Sequence, residues 1–221
     1  MNLVCNQELR AQLSDALQQF EPLELDRSTK KHAAVAFTIV SCRYPADIAN
    51  IRFTPNNATQ AAFILTTRAS QLSNHPGQRA YPGGRVDAGE TAAQAALREL
   101  AEEVGLELEA TAILGQLDDY ETRSGFVITP FVVWGGDKVE LSANPAEVDC
   151  IHRIPLTELL RDEAPILDSI AESEQPVLKM PIGDEWFAAP SAAIAYQFRE
   201  VALLGRSTRV AHFEQPHFAW K

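Results

Sequence analysis

Apolar residues along this chain alternate between a rhythm near 3.6 residues and short continuous runs. Leu9, Leu13, Leu17 and Phe20 recur on one face of residues 7–20, which predicts an amphipathic helix that stops before Pro22. A polar connector at 26–31 leads to residues 33–40, an apolar β-branched run that reads as a buried strand, and 61–67 reads as a second. Pro55, Asn56 and Asn57 supply turn chemistry to an irregular stretch over 45–57, and Pro76, Gly77 and Pro82 mark 69–82 as a loop. A second segment of helical period begins at Thr91, whose pairing with Gln94 forms a capping-box pattern, and stops at Gly105. Its apolar stripe is Ala93, Ala96, Leu97, Leu100 and Val104.

Beyond that helix, 106–117 and 126–134 read as strands separated by the polar segment 118–125. Gly135, Gly136 and Asp137 predict a turn, Pro145 opens a loop, and 148–154 predicts a short strand. Pro155 at the first helical position predicts a helix through Leu160, residues 176–181 a further strand, and 190–204 a helix closed by Gly205. The segment 207–221 is apolar for a chain end, with Val210, Phe213, Phe218 and Trp220, so it is expected to pack on the body or on a second copy, as in a homodimer. Strands interleaved with helices predict an α/β layered sandwich, with residues 1–221 forming a single domain.

Charge narrows the partners. The 221 residues carry 30 acidic against 19 basic side chains, a net charge of −11, which disfavours a nucleic-acid polymer because binding its phosphates needs a basic surface. A small phosphate ester is still permitted where bound metal reverses the local field. Cys5, Cys42 and Cys150 are too few and too scattered for a disulfide framework, and an odd count suits a reducing compartment. Cys150 and His152 lack the companions of a metal site, so Cys150 reads as a packing residue. No apolar run reaches membrane-spanning length, the first residues lack a signal-peptide layout, and the sequon at Asn57 carries little weight without secretion. The expectation is a cytoplasmic protein without a membrane partner.

The helix after Thr91 holds the chemistry. Glu99, Glu102 and Glu103 are related by three- and four-residue steps and are expected to cluster opposite the apolar stripe. Like charges at that spacing repel, and hard divalent cations that prefer oxygen ligands would remove the penalty. The full stretch fits Gly-x5-Glu-x7-Arg-Glu-Leu-x-Glu-Glu-x-Gly-Leu at Gly84, Glu90, Arg98, Glu99, Leu100, Glu102, Glu103, Gly105 and Leu106. This resembles the complete box of the Nudix hydrolases. The resemblance implies the Nudix fold: an α/β/α sandwich with a mixed sheet and a loop–helix catalytic motif.

It also implies a Mg²⁺- or Mn²⁺-dependent pyrophosphatase. Glu99, Glu102 and Glu103 would supply metal ligands, joined by the backbone carbonyl of Gly83. Arg98 would orient a glutamate with Glu90 as its structural partner, or else contact phosphate directly; Gly84 and Gly105 would shape the motif. The general base stays open among Glu99, Glu103 and the loop residue Glu147. Asp118, Asp119 and Glu121 are weaker candidates.

The flanks bear on substrate. Arg68, His75, Gln78 and Tyr81 upstream, and the segment from Leu117 through Ser124 to Pro130 downstream, are similar to the coenzyme A pyrophosphatase branch of the family. That likeness implies substrate contacts at Arg68, His75, Gln78, Tyr81 and Ser124, with coenzyme A or its acyl derivatives as the favoured substrate. Ser73 departs from the branch, which usually carries arginine there; a lost guanidinium removes a bidentate phosphate contact, which Arg68 or Arg79 could replace. The alternatives are the same chemistry on ADP-ribose, a dinucleotide or a nucleoside triphosphate, and a non-catalytic nucleotide-binding regulatory module.

Overall fold

Strand β1, Lys31–Ser41, lies at the centre of the layers, and its alternation decides what packs on each side. Ala34, Ala36 and Val40 face one way and Phe37 and Ile39 the other, all with essentially no exposure, as the two-residue period of a strand requires. The computed structural model describes residues 3–43, 48, 50, 51, 58–72 and 75–220. Ser73, the Asn57 sequon and the turn residues Pro55 and Asn56 lie outside those residues, as does the side chain of Phe218.

The main sheet also contains β2 (Ala61–Arg68), β3 (Arg79–Ala80), β4 (Gly83–Arg85), β5 (Ile113–Gln116), β6 (Tyr120–Glu121), β7 (Phe126–Gly136) and β8 (Val148–Pro155). Its path runs β3-β2-β1-β7-β5, with β4 on β1, β6 on β7 and β8 on β2. β1 and β7 are parallel, from Lys31 opposite Phe126 to Ile39 opposite Trp134, whereas β2, β4, β5 and β8 join antiparallel. The sheet is therefore mixed, and burial of β1 on both faces explains its near-continuous apolar sequence.

One face receives α1 (Gln7–Gln18), capped by the Asn6 side chain, and α3 (Ser191–Phe198). Leu9, Leu13 and Leu17 join Phe37, Phe63 and Phe198 there, and the Phe37 ring stacks between Phe63 and Phe198 with centroids 5.1 and 4.3 Å away. The other face receives α2 (Ala92–Val104) through Ala95, Ala96, Leu100 and Val104, which meet the small Ala34 and Ala36 of β1. Small residues on both partners bring helix and sheet close together, and that closeness positions the site.

Several expectations need correction. The run 106–117 is a strand only over Ile113–Gln116; before it comes a 3₁₀ turn at Ala110–Ala112. Pro155 ends β8 and precedes a 3₁₀ helix at Leu156–Leu160, so it occupies the capping position, not the first helical one. Gly135 and Gly136 lie inside β7, and the turn begins after them. The helix expected to run to residue 204 is α-helical to Phe198 and continues as a π-helical turn, Arg199–Leu203. A second sheet, β9 (Ile166–Ile170), β10 (Ser173–Ile182) and β11 (Glu185–Ala188), surrounds the strand expected at 176–181. The tail packs on the body as expected: Val210 is buried, and Glu214 forms a bridge with Val177.

Candidate metal and phosphate site

The strand–helix joint from Gly83 to Gly105 aims the carboxylates, and each glycine at its start has its own steric reason. A Cβ on Gly83 would lie 2.5 Å from the Ala34 carbonyl oxygen, so the chain can approach β1 only as glycine. A Cβ on Gly84 would lie 2.2 Å from Glu99 Oε1, so that position must be bare for the Glu99 carboxylate to sit where it does. Thr91 and Gln94 form the reciprocal capping box, and Gly105 ends the helix in the left-handed region at φ +69°. The last carbonyls of α2 are met by the following loop, with Ser142 N–H donating to Val104 O and Asn144 N–H to Glu103 O, each at 2.9 Å.

That loop carries Glu147. Glu99, Glu103 and Glu147 each offer a carboxylate oxygen within 4.8 Å of the others, the one group of three acidic, His or Cys side chains so arranged among the described residues. Glu103 is buried at 3% exposure, which corrects the expectation that the acidic face points away from the apolar stripe. Ala93 and Leu97 lie at the edge of the packed face, and Ala95 and Glu103 lie within it. Glu102 stands outside the group, half exposed, with its carboxylate 3.1 Å from Arg98.

Burial pushes the Glu103 carboxyl up to about 8, with repulsion from Glu99 and Glu147 adding to it, while Arg68 and the Gly83 N–H pull it down. Glu99 is raised too, chiefly by burial, although Arg98 opposes the shift. Three close carboxylates, Glu103 buried and Glu99 and Glu147 partly so, with Arg98 touching Glu99 alone of the three, form a hard-oxygen donor set, so the residues present suit Mg²⁺ or Mn²⁺. Gly83, expected to supply a carbonyl ligand, directs its N–H to Glu103.

Arg98 is fully engaged. Its Nε and Nη2 donate to the two oxygens of Glu90 at 3.2 and 2.9 Å, Nη1 to Glu99 at 2.8 Å, and Nη2 also to the Arg85 carbonyl at 3.1 Å. Glu90 in turn accepts from the Asp87 N–H at 2.7 Å, and Arg98 holds its carboxyl below the usual range. This guanidinium ties the loop to the helix and orients Glu99.

A cleft of about 630 Å³ adjoins the ends of β2 and β3, with Arg68, His75, Gln78 and Ser124 in its lining. Tyr81 is not in the lining: at 3% exposure it packs on Phe37 and donates its hydroxyl to the Ser191 carbonyl at 3.0 Å, so it supports the wall from behind. Burial and the nearby Arg68 hold the His75 imidazole below its ordinary value, which favours the neutral form. Arg68 acts on both Glu103 and His75, so it links the carboxylates to the cleft. Among the described residues its guanidinium makes no salt bridge, and its Nε is buried without a hydrogen-bond partner.

The weaker acidic candidates serve elsewhere. Asp118 accepts from the Leu23 N–H and Gln197 and pairs with Arg209; Asp119 accepts from the Leu25 N–H, Arg27 and Thr129. Glu121 pairs with Lys30 at the surface. His152 contacts Thr67 at 2.8 Å and Cys150 at 3.8 Å, outside the Glu99, Glu103 and Glu147 group. Among the described residues no disulfide joins Cys5, Cys42 or Cys150, and no helix is long and apolar enough to cross a membrane.

Residues 47–172 match the NUDIX domain model, and the chain belongs to the Nudix family. It is 36% identical over 146 residues to the protein named Uncharacterized Nudix hydrolase NudL of Yersinia enterocolitica, covering 66% of each chain. The protein of the same name from Enterobacter sp. (strain 638) is 40% identical over 103 residues, 46% of this chain and 54% of that one. The protein of that name from Photorhabdus laumondii is 32% identical over 154 residues, 67% of this chain and 74% of that one. The chain thus spans between about half and three-quarters of the length of these relatives.

Proposed function

We propose that this protein is a divalent-metal-dependent pyrophosphohydrolase that splits a nucleoside diphosphate linked to another group, with coenzyme A or acyl-coenzyme A as substrate. One observation carries the reading: the convergence of Glu99, Glu103 and Glu147 within 4.8 Å, beside a cleft whose charged lining is Arg68 and Arg79. Among the described residues no Asp or Glu lines that cleft, and with Arg79 paired to Glu185 it is Arg68 that gives the recess its unbalanced positive charge in a chain of net charge −11. An anionic substrate fits the recess, and its phosphates would reach the carboxylates past Arg68.

Glu99, Glu103 and Glu147 would hold Mg²⁺ or Mn²⁺, with Glu102 close behind on the same helix. Such a cation neutralises charge on the phosphoryl oxygens and makes a bound water more acidic. Arg68 binds phosphate, and Arg98 keeps Glu99 in place with donors already committed to protein. A carboxylate of the cluster takes the proton of the attacking water. The preference for coenzyme A rests on the segments flanking the box, with Arg68, Gln78 and Ser124 in the cleft lining.

The test is to incubate the purified chain with Mg²⁺ or Mn²⁺ and a panel of coenzyme A, acyl-coenzyme A, ADP-ribose, dinucleotides and nucleoside triphosphates. Release of 3′,5′-ADP and phosphopantetheine-type products supports the reading. Turnover of ADP-ribose without coenzyme A moves the substrate assignment, and no turnover of any diphosphate overturns the reaction.

A further inference from the structure

Part of the lining of the cleft comes from beyond the family-matched residues 47–172: β11, the start of α3 and the C-terminal segment contribute Trp186, Phe187, Ser191 and Gln215. Trp186 stands out among them. It is a large apolar side chain left 43% exposed, yet it sits in the lining of a recess, not on an open face. Exposed aromatic area costs free energy unless a ligand covers it.

The strand that carries it is tied to the body by polar contacts. Glu185, the preceding residue, pairs with Arg79 of β3, and Asp184 accepts a hydrogen bond from Asn50, so the hairpin turn is anchored at two points on the main body. Lys179 of β10 sits 3.9 Å from the centre of the Trp186 ring, and its own ammonium pairs with Asp168 of β9. A cation against one face of an indole orients the ring and leaves the other face to a second planar partner. A half-exposed indole with a cation on one face, lining the same cleft as the Arg68 guanidinium, suits holding a planar base while the phosphates are bound elsewhere.

We propose that the β10–β11 hairpin and the C-terminal segment form the specificity wall of the cleft, with the Trp186 indole as the stacking platform for the base of the nucleotide. This rests on the reading that the cleft takes a nucleoside diphosphate. The phosphate end then faces Arg68 and the carboxylates, and the base end faces a part of the chain outside the family match. Substrate preference is accordingly set by residues that the box does not contain.

Calorimetric titration of the full chain with ADP, and separately with inorganic pyrophosphate, which has no base, tests the platform without needing turnover. Trp186→Ala is expected to weaken ADP binding about tenfold or more while leaving pyrophosphate binding within about twofold, and Trp186→Phe is expected to keep most of the ADP affinity. Trp186 is exposed, so its truncation leaves the core intact; an unchanged melting temperature checks this. Loss of ADP binding confined to the alanine variant supports the platform even if no diphosphate is hydrolysed. Equal ADP affinity in wild type and Trp186→Ala, an equal loss for pyrophosphate, or no ADP binding by the wild type overturns it.

Discussion

The Glu99 carboxylate rests against the bare Cα of Gly84, so closely that a methyl group there would lie 2.2 Å from Oε1. The glycine of the strand–helix joint thereby sets the position of a candidate cation ligand. Gly84→Ala is expected to displace the flexible Glu99 side chain and to lower kcat roughly a hundredfold, the scale for a misplacement of about 1 Å. Gly83→Ala should behave differently, because its Cβ would strike the Ala34 backbone and lower the melting temperature. Thermal melts and steady-state rates on the two variants separate the cases.

Glu103 links the site to pH-dependent stability. Its folded-state value is raised, to about 8, so its contribution is fully present below the ordinary carboxylate value and is lost as pH rises through about 8. In a chelator, the melting temperature should therefore fall between about pH 5 and pH 8, with a loss on the order of a few kcal/mol. Glu103→Gln should flatten that dependence and stabilise the chelated protein at the alkaline end, yet reduce turnover by orders of magnitude. Added Mg²⁺ or Mn²⁺ should restore stability to the wild type and not to the variant. Calorimetry across pH with and without metal reads all of this, and an equally steep loss in the glutamine variant would disprove the assignment.

Arg98 is committed to Glu90, Glu99 and the Arg85 carbonyl, so its role is positional. Arg98→Lys, which keeps the charge and loses the fork, should cut kcat about tenfold or more with KM within about twofold. A rise in KM at unchanged kcat would point instead to direct phosphate contact.

Arg68 should show the opposite signature. With no salt bridge among the described residues, its guanidinium is available to phosphate, and Arg68→Gln should raise KM about tenfold or more. Because Arg68 also lowers the Glu103 pKa, the variant should steepen the pH-dependent loss of stability in chelator.

Local spacing made much of this protein legible in advance. The capping box, the Gly105 stop and the order of the carboxylates along α2 are short-range matters, decided within a few residues of the backbone. The same holds for β1 and β2, whose apolar runs suit strands buried on both faces. Where the pattern misled, a distant partner was responsible. Glu103 was expected opposite the apolar stripe because its spacing groups it with Glu99 and Glu102, but the face of a helix is defined by where the sheet lies. Residues 106–110 are apolar enough for a strand yet find no ladder to join. Tyr81 lies next to the motif and still belongs to the core, because Ser191, far along the chain, accepts its hydroxyl.

By itself, the order of residues determined the loop–helix motif, the mixed α/β class and the family, since each rests on spacings that survive without knowledge of the rest of the chain. Only the tertiary structure decided that Glu147, far from Glu103 in sequence, completes the carboxylate group while Glu102 stands aside, and that Trp186 closes a cleft begun by Arg68. A carboxylate becomes costly, and therefore useful to a cation, only when packing strips its water and brings like charges together. That condition depends on the fold, and no local pattern contains it.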